Sequence, residues 1–226
     1  MQLLKHIKYG MAGLLLLMIV ACDKDYYQYE KYINKGPIVY PGRADSVVIL
    51  AGKERVQLRW AVPSDLNIVN YKVFWNFGTD SLSVPGRTPA TGDSIKIFVA
   101  NLAEGSYSFA VHSYDAGGRR SVGSQAFGNA YGSIFASTVY NRPIRTIKKD
   151  AVASRLEVAW VGLDAKCIGT EWQYTGVDGG AARLFSPIGD STIITGCNVA
   201  QPISYRSLFL PETKAIDTFF TELKSL

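Results

Sequence analysis

Residues able to do chemistry are few in this chain. Of its two histidines, His6 sits in an apolar leader, so a histidine-based metal site or a Ser-His-Asp relay would rest on His112 alone. In SYSFAVHSYD (106–115), Tyr107, Phe109 and Val111 alternate with Ser108, Ala110 and His112. That period of two turns His112 away from the core and makes it a solvated strand residue. Among the 19 carboxylates, those in Asp115-Ala116-Gly117-Gly118 and Asp178-Gly179-Gly180 belong to hairpin sequences rather than to a glycosidase acid and nucleophile. Asp23-Lys24-Asp25 lacks the third acidic position and the glycine of a calcium loop. Gly123, Gly128 and Gly132 are spread along a strand-like run instead of being gathered before a helix to cradle phosphate. These residues carry no expectation of enzyme activity, a metal or a cofactor.

The cysteine with the clearest chemistry is Cys22. The leader MQLLKHIKYGMAGLLLLMIVA places Lys5 and Lys8 before the apolar stretch Met11 to Val20, which is too short to span a bilayer and has the form of a secretory signal, residues 1–21. Ile19-Val20-Ala21-Cys22 resembles the bacterial lipobox, in which cleavage precedes a cysteine whose sulfur carries diacylglycerol. Each buried acyl CH₂ contributes about 0.8 kcal/mol, so three chains hold the mature N-terminus in a membrane. Cleavage there leaves 205 of 226 residues and removes Lys5 and Lys8, lowering the formal charge from +5 to +3. Such a balance gives no support for nucleic-acid binding.

The elements that would position any site are short strands. Residues 23–35, DKDYYQYEKYINK, hold four tyrosines among charges without apolar alternation, and residues 22–35 read as a tether. Beyond Gly36-Pro37 the chain turns to short alternating runs punctuated by Gly, Pro, Asp and Asn, the pattern of a β-sandwich. One series of strands is expected at 46–52, 55–62, 68–76, 81–86, 94–102, 106–115 and 120–128. A second follows at 138–147, 155–162, 169–176, 181–187, 191–199, 203–210 and 215–223. With 47% hydrophobic residues the chain can build two cores, and the expected domains are 36–133 and 134–226.

The two series form a diverged repeat. Arg55-Val56-Gln57-Leu58-Arg59-Trp60 aligns with Arg155-Leu156-Glu157-Val158-Ala159-Trp160. Asp93-Ser94 with Asn101-Leu102 aligns with Asp190-Ser191 and Asn198-Val199, and Tyr107 and Tyr205 then open the next strand. Each copy resembles a fibronectin type III domain, through the Trp closing the second strand, Tyr71-Lys72-Val73 in the third, and a leucine-loop-tyrosine passage before the sixth. That resemblance implies a tyrosine corner. Val199 to Tyr205 keeps the family's six positions and has Pro202, whereas Leu102 to Tyr107 is one shorter and has only Gly105.

Over nearly the whole mature chain, GPIVYPGRADSVVILAG, DLNIVNYKVFWN and YRSLFLPETKAIDTF resemble a family of Bacteroidetes surface lipoproteins with tandem fibronectin III-like repeats, a domain of unknown function. Its members often sit beside genes for polysaccharide capture and uptake. The resemblance implies an outer-membrane lipoprotein, and Asp23 and Asp25 after the lipidated cysteine resemble the phylum's signal for export to the outer face. Asp45-Ser46, Asp80-Ser81, Asp93-Ser94 and Asp190-Ser191 resemble its O-glycosylation sites, although Asp-Ser at a strand start is also ordinary turn chemistry. The fibronectin arrangement places Cys167 and Cys197 at opposite ends of the second sandwich, beyond the roughly 7 Å a disulfide tolerates, so both are expected to be unpaired.

Sugar rings stack on exposed aromatic faces, which directs attention to the aromatics. Tyr71, Val73, Trp75 and Phe77 are expected on the core face of the third strand, leaving Phe74 outward as a candidate ligand-binding residue. Trp60, Trp160 and Trp172 read as core. Tyr131, near the domain junction, is a second candidate. The expected function is non-catalytic glycan capture or adhesion at the cell surface. The alternative is a spacer or docking subunit of a surface polysaccharide-uptake assembly, with an outer-membrane transporter as partner.

Overall fold

A computed structural model describes residues 38–86, 94–162 and 164–226. The leader, Cys22, Asp23, Asp25 and the tether lie outside the described residues. Pro41–Leu226 forms one compact unit.

Alternation builds the strands as the sequence directs. In β2 (Arg55–Ala61), Val56, Leu58 and Trp60 are buried while Arg55, Gln57 and Arg59 point outward. β9 (Arg155–Trp160) repeats this with Leu156, Val158 and Trp160. Each such Val or Leu contributes about 1.5–3 kcal/mol on burial.

In the first sandwich β1 (Asp45–Lys53) pairs antiparallel with β2, which pairs with β5 (Ser94–Ala100). The opposing face has the order β4 (Asp80–Pro85), β3 (Ile68–Trp75), β6 (Gly105–Asp115), β7 (Ser124–Tyr131). β1 joins both faces, because its end turns parallel to β7 through Gly52 opposite Ala130. In the second sandwich β12 (Ser191–Thr195), β9 and β8 (Ile144–Asp150) form one sheet. The other runs β11 (Ala181–Pro187), β10 (Cys167–Thr175), β13 (Ser204–Phe209), β14 (Phe219–Phe220), with β15 (Lys224–Ser225) also on β13. This strand order, three strands facing four, is that of tandem fibronectin III-like sandwiches, and the all-β expectation holds.

Several elements differ in detail. Strand β8 begins at Ile144 rather than at 138, because α1 (Ser133–Thr138) occupies the preceding stretch. The Glu104 carboxylate accepts hydrogen bonds from the Ile134 and Phe135 amides at 2.7 and 2.8 Å, capping α1 from the first sandwich. The last strand is split into β14 and β15, and the chain before it leaves the sheet to meet the first sandwich. Ile216 donates its amide to the Ala51 carbonyl at 2.7 Å, and Asp217 takes Arg55 at 2.6 and 2.9 Å as well as the Lys53 amide at 2.8 Å. A Cβ at Gly52 would stand 2.6 Å from Asp217 Oδ2 and 2.8 Å from Ile216, so only glycine permits this approach. Phe135, Cys167, Phe209 and Phe219 close a small core of their own beside it.

The repeat also slides. Ser94 stands opposite Ala61, but Ser191 stands opposite Ala159, two positions earlier in the aligned copy. A shift of two leaves every side chain on its own face, so the cores survive it. The tyrosine corner falls in the copy whose spacing departs from the family. Tyr107 Oη donates to the Ala103 carbonyl at 2.8 Å, whereas Tyr205 Oη donates to the distant Arg142 carbonyl at 2.8 Å. Tyr205 lies opposite Trp172 and stacks on it at 5.1 Å, while Tyr107 lies beyond the last β3 pairing, Phe74 with Ala110. The two tyrosines match in sequence and occupy different places.

Candidate functional site

The outward face of β3, β6 and β7 carries a groove of about 880 Å³. Its shape follows from cross-strand pairing. Phe74 on β3 is opposite Ala110 on β6, which is opposite Gln125 on β7. One row along, Ser108 faces Phe127, and Ser106 faces Asn129. Small residues on the central strand between large ones on both neighbours make a trough. At its end the chain turns through Asn76–Gly78, where Phe77 joins the lining.

Phe77 is the correction to the sequence reading. The strand ends at Trp75, so the alternation that would have put Phe77 in the core stops before it. Asn76 and Phe77 both adopt left-handed backbone, at φ 48° and 57°, and Phe77 is fully exposed at 109%. Left-handed backbone costs a bulky L-residue about 1–2 kcal/mol, and no burial offsets it here. The turn is held by the Thr79 amide and hydroxyl on the Asn76 carbonyl, and by Asn76 Nδ2 on Asp80 at 2.5 Å.

The predicted candidates separate. Phe74 lines the groove, its ring 5.8 Å from His112 in an edge contact. Tyr131 does not line it. Its ring packs 5.2 Å from Phe135, and its hydroxyl donates to Glu212 at 3.1 Å, inside the joint between the sandwiches. Burial and Glu212 together raise its pKa above the ordinary tyrosine value.

His112 is outward and half-buried at the opposite end of the groove. Nδ1 lies 2.9 Å from the Ser121 carbonyl, which can only accept, so Nδ1 carries the proton. Gly123 makes room for the ring, since a Cβ there would come within 2.8 Å of it. Phe127, 73% exposed, escaped the sequence reading. The signal was present: in SQAFGNAY the small residues Ala126, Gly128 and Ala130 form the inward set, leaving Gln125, Phe127 and Asn129 outward.

Cys167 and Cys197 are buried free thiols. Cys167 opens β10 and Cys197 bridges Gly176 just past its other end, about 30 Å along the strand. Desolvation raises both pKa values, which keeps them protonated and unreactive. Among the described residues no cluster of three or more His, Cys, Asp or Glu is placed to hold a metal.

Fold and sequence together define a tandem fibronectin III-like β-sandwich protein. More narrowly, the chain belongs to the DUF4998 family, a domain of unknown function, matched over residues 22–219. It is similar to the solved FN1–FN3 domains of chicken CNTN1, at 12% identity over 83% of this chain and 68% of that one, with a TM-score of 0.46. A two-domain fibronectin type III segment from chicken tenascin is similar at 13% identity, over 81% of this chain and 97% of that one, with a TM-score of 0.31. No curated protein matches the sequence.

Proposed function

We propose that this protein is a non-catalytic, lipid-anchored surface protein that captures glycans in the groove of its first sandwich. The observation behind this reading is the gathering of Phe74, Phe77 and Phe127 in one groove with the hydroxyl of Ser108 and the amide of Gln125, while Ser106 and Asn129 bond to each other along its floor. Pyranose rings pair apolar faces with hydroxyl edges, and that mixture of surfaces matches them. An exposed aromatic held in unfavourable backbone fits a binding role better than a folding one. Cys22 anchors the chain in the outer membrane through its lipid, and Asp23 and Asp25 direct it outward. The family match beginning at Cys22 supports that start for the mature chain.

A second reading, docking to a protein of a surface uptake assembly, has the edge strand β8 behind it. Among the described residues that strand pairs only with β9, and Ile147 on it is 41% exposed.

Calorimetric titration of residues 23–226 against plant and host polysaccharides tests the glycan reading. Binding should be abolished by Ala110→Leu, which fills the trough on an outward position. Blank titrations, together with recovery of a transporter from membranes by the lipidated protein, favour docking instead. Acyl labelling in cells tests the anchor: Cys22→Ala should abolish it, and persistent labelling refutes lipid attachment.

A further inference from the structure

Resting on the glycan reading, we propose that the groove selects acidic saccharides, specifically uronic-acid-containing oligosaccharides bearing carboxylates on spaced rings. The argument is charge. No carboxylate lines the groove among the described residues, whereas the Arg120 guanidinium does. Arg120 is exposed and has no carboxylate partner among them; its neighbour Arg119 is taken by Asp115 at 2.7 Å. Lys72 lies directly across from His112 on β3 and extends over Tyr114 at 5.5 Å, adding a cation beside the same end.

The groove is therefore polarised along its length. Phe77 and Phe127 supply stacking surface toward the turn, Ser108 and Gln125 supply uncharged hydrogen bonding in the middle, and the cations gather beyond. The Arg120 guanidinium presents a planar fork that matches a carboxylate. His112 donates through Nδ1 to the Ser121 carbonyl, which leaves Nε2 to accept a hydrogen bond from a sugar hydroxyl. Cations confined to one end suit a chain with one carboxylate per acidic ring. A densely sulfated chain would call for cations along the whole trough, where the lining is neutral.

Calorimetry on residues 23–226 with three oligosaccharides of equal length tests this: a galactan oligomer in which one ring is replaced by galacturonate, the neutral galactan oligomer, and a galactan oligomer sulfated on every ring. The uronate oligomer should bind at least tenfold more tightly than the neutral one, and Arg120→Gln should remove most of that difference. Ala110→Leu should abolish both. Equal binding of neutral and uronate oligomers overturns the charge selectivity while the groove reading stands. Tighter binding of the sulfated oligomer overturns the choice of carboxylate. Uronate binding unaffected by Ala110→Leu places the site elsewhere and overturns the inference. No binding of any oligomer overturns both the inference and the glycan reading.

Discussion

The same sheet face is open in one sandwich and filled in the other. In the first, the central strand offers Ser106, Ser108 and Ala110 between phenylalanines. In the second, Glu171 on β10 is opposite both Phe185 and Arg206, and it pairs with the Arg206 guanidinium at 2.9 Å. Arg206 in turn covers the Phe220 ring at 4.2 Å. Long charged side chains occupy the place where the first sandwich has its trough.

The interiors differ in the same sense. Arg142 is buried, and its guanidinium donates to the Gly162 and Gly189 carbonyls while lying 5.0 Å over Trp160. Trp160 Nε1 donates to Thr192 at 3.0 Å, and Tyr205 donates to the Arg142 carbonyl. In the first core Trp60 Nε1 and Ser113 Oγ have no such partner among the described residues. The second repeat is braced internally and the first is shaped externally, and that contrast is what the proposed glycan site on the first sandwich rests on.

Breaking the brace should have the largest effect. Arg142→Ala leaves two carbonyls, Gly162 and Gly189, short of a donor, the first of them the acceptor of two guanidinium bonds, and empties the space over Trp160; the loss should be about 3–5 kcal/mol in chemical denaturation. Arg142→Lys should recover little of it, since an ammonium cannot span both loops. Tyr205→Phe should cost about 1–2 kcal/mol, more than Tyr107→Phe, because the Arg142 carbonyl is then left unsatisfied in the core. Equal losses would remove the distinction between the copies.

Phe77→Asn should act oppositely, raising stability by about 1 kcal/mol, since asparagine tolerates left-handed backbone, while weakening glycan binding. A destabilised variant would show that the turn is not strained. The smallest effect belongs to the joint. Arg55, outweighing burial, holds the Asp217 carboxyl below the usual carboxylate range. The folded pKa is therefore lower than the unfolded one, so this contribution is complete above about pH 4 and is lost as pH falls through the folded value. Arg55 is partly exposed, so Arg55→Ala should cost only about 1 kcal/mol at neutral pH and flatten the acid limb of a stability-against-pH curve. An unchanged acid limb would exclude this pair from the joint's stability.

Period-two alternation made the strands legible, because Val56, Leu58 and Trp60 report their face directly, and Trp160 and Trp172 did the same for the second core. Phe74 was legible for the same reason. Arg142 was not, because a charged side chain satisfied only by carbonyls depends on loops far away in sequence. Phe77 was misplaced because alternation says nothing once the strand has ended, and the Asn-Phe-Gly turn was the signal to stop. The resemblance implied a tyrosine corner in each copy, with the family's spacing kept in the second; Tyr205 instead reaches the Arg142 carbonyl, a partner too far away in sequence for local spacing to register.

Paired substitutions on the two equivalent faces test the division of labour most directly. Phe127→Ala in the first sandwich and Phe185→Ala in the second each remove one exposed phenylalanine, 73% and 50% accessible, from an outward face. Titrated with the same polysaccharide, Phe127→Ala should weaken binding at least tenfold and Phe185→Ala should leave it unchanged. Loss of binding on Phe185→Ala with retention on Phe127→Ala would contradict the assignment of binding to the first sandwich.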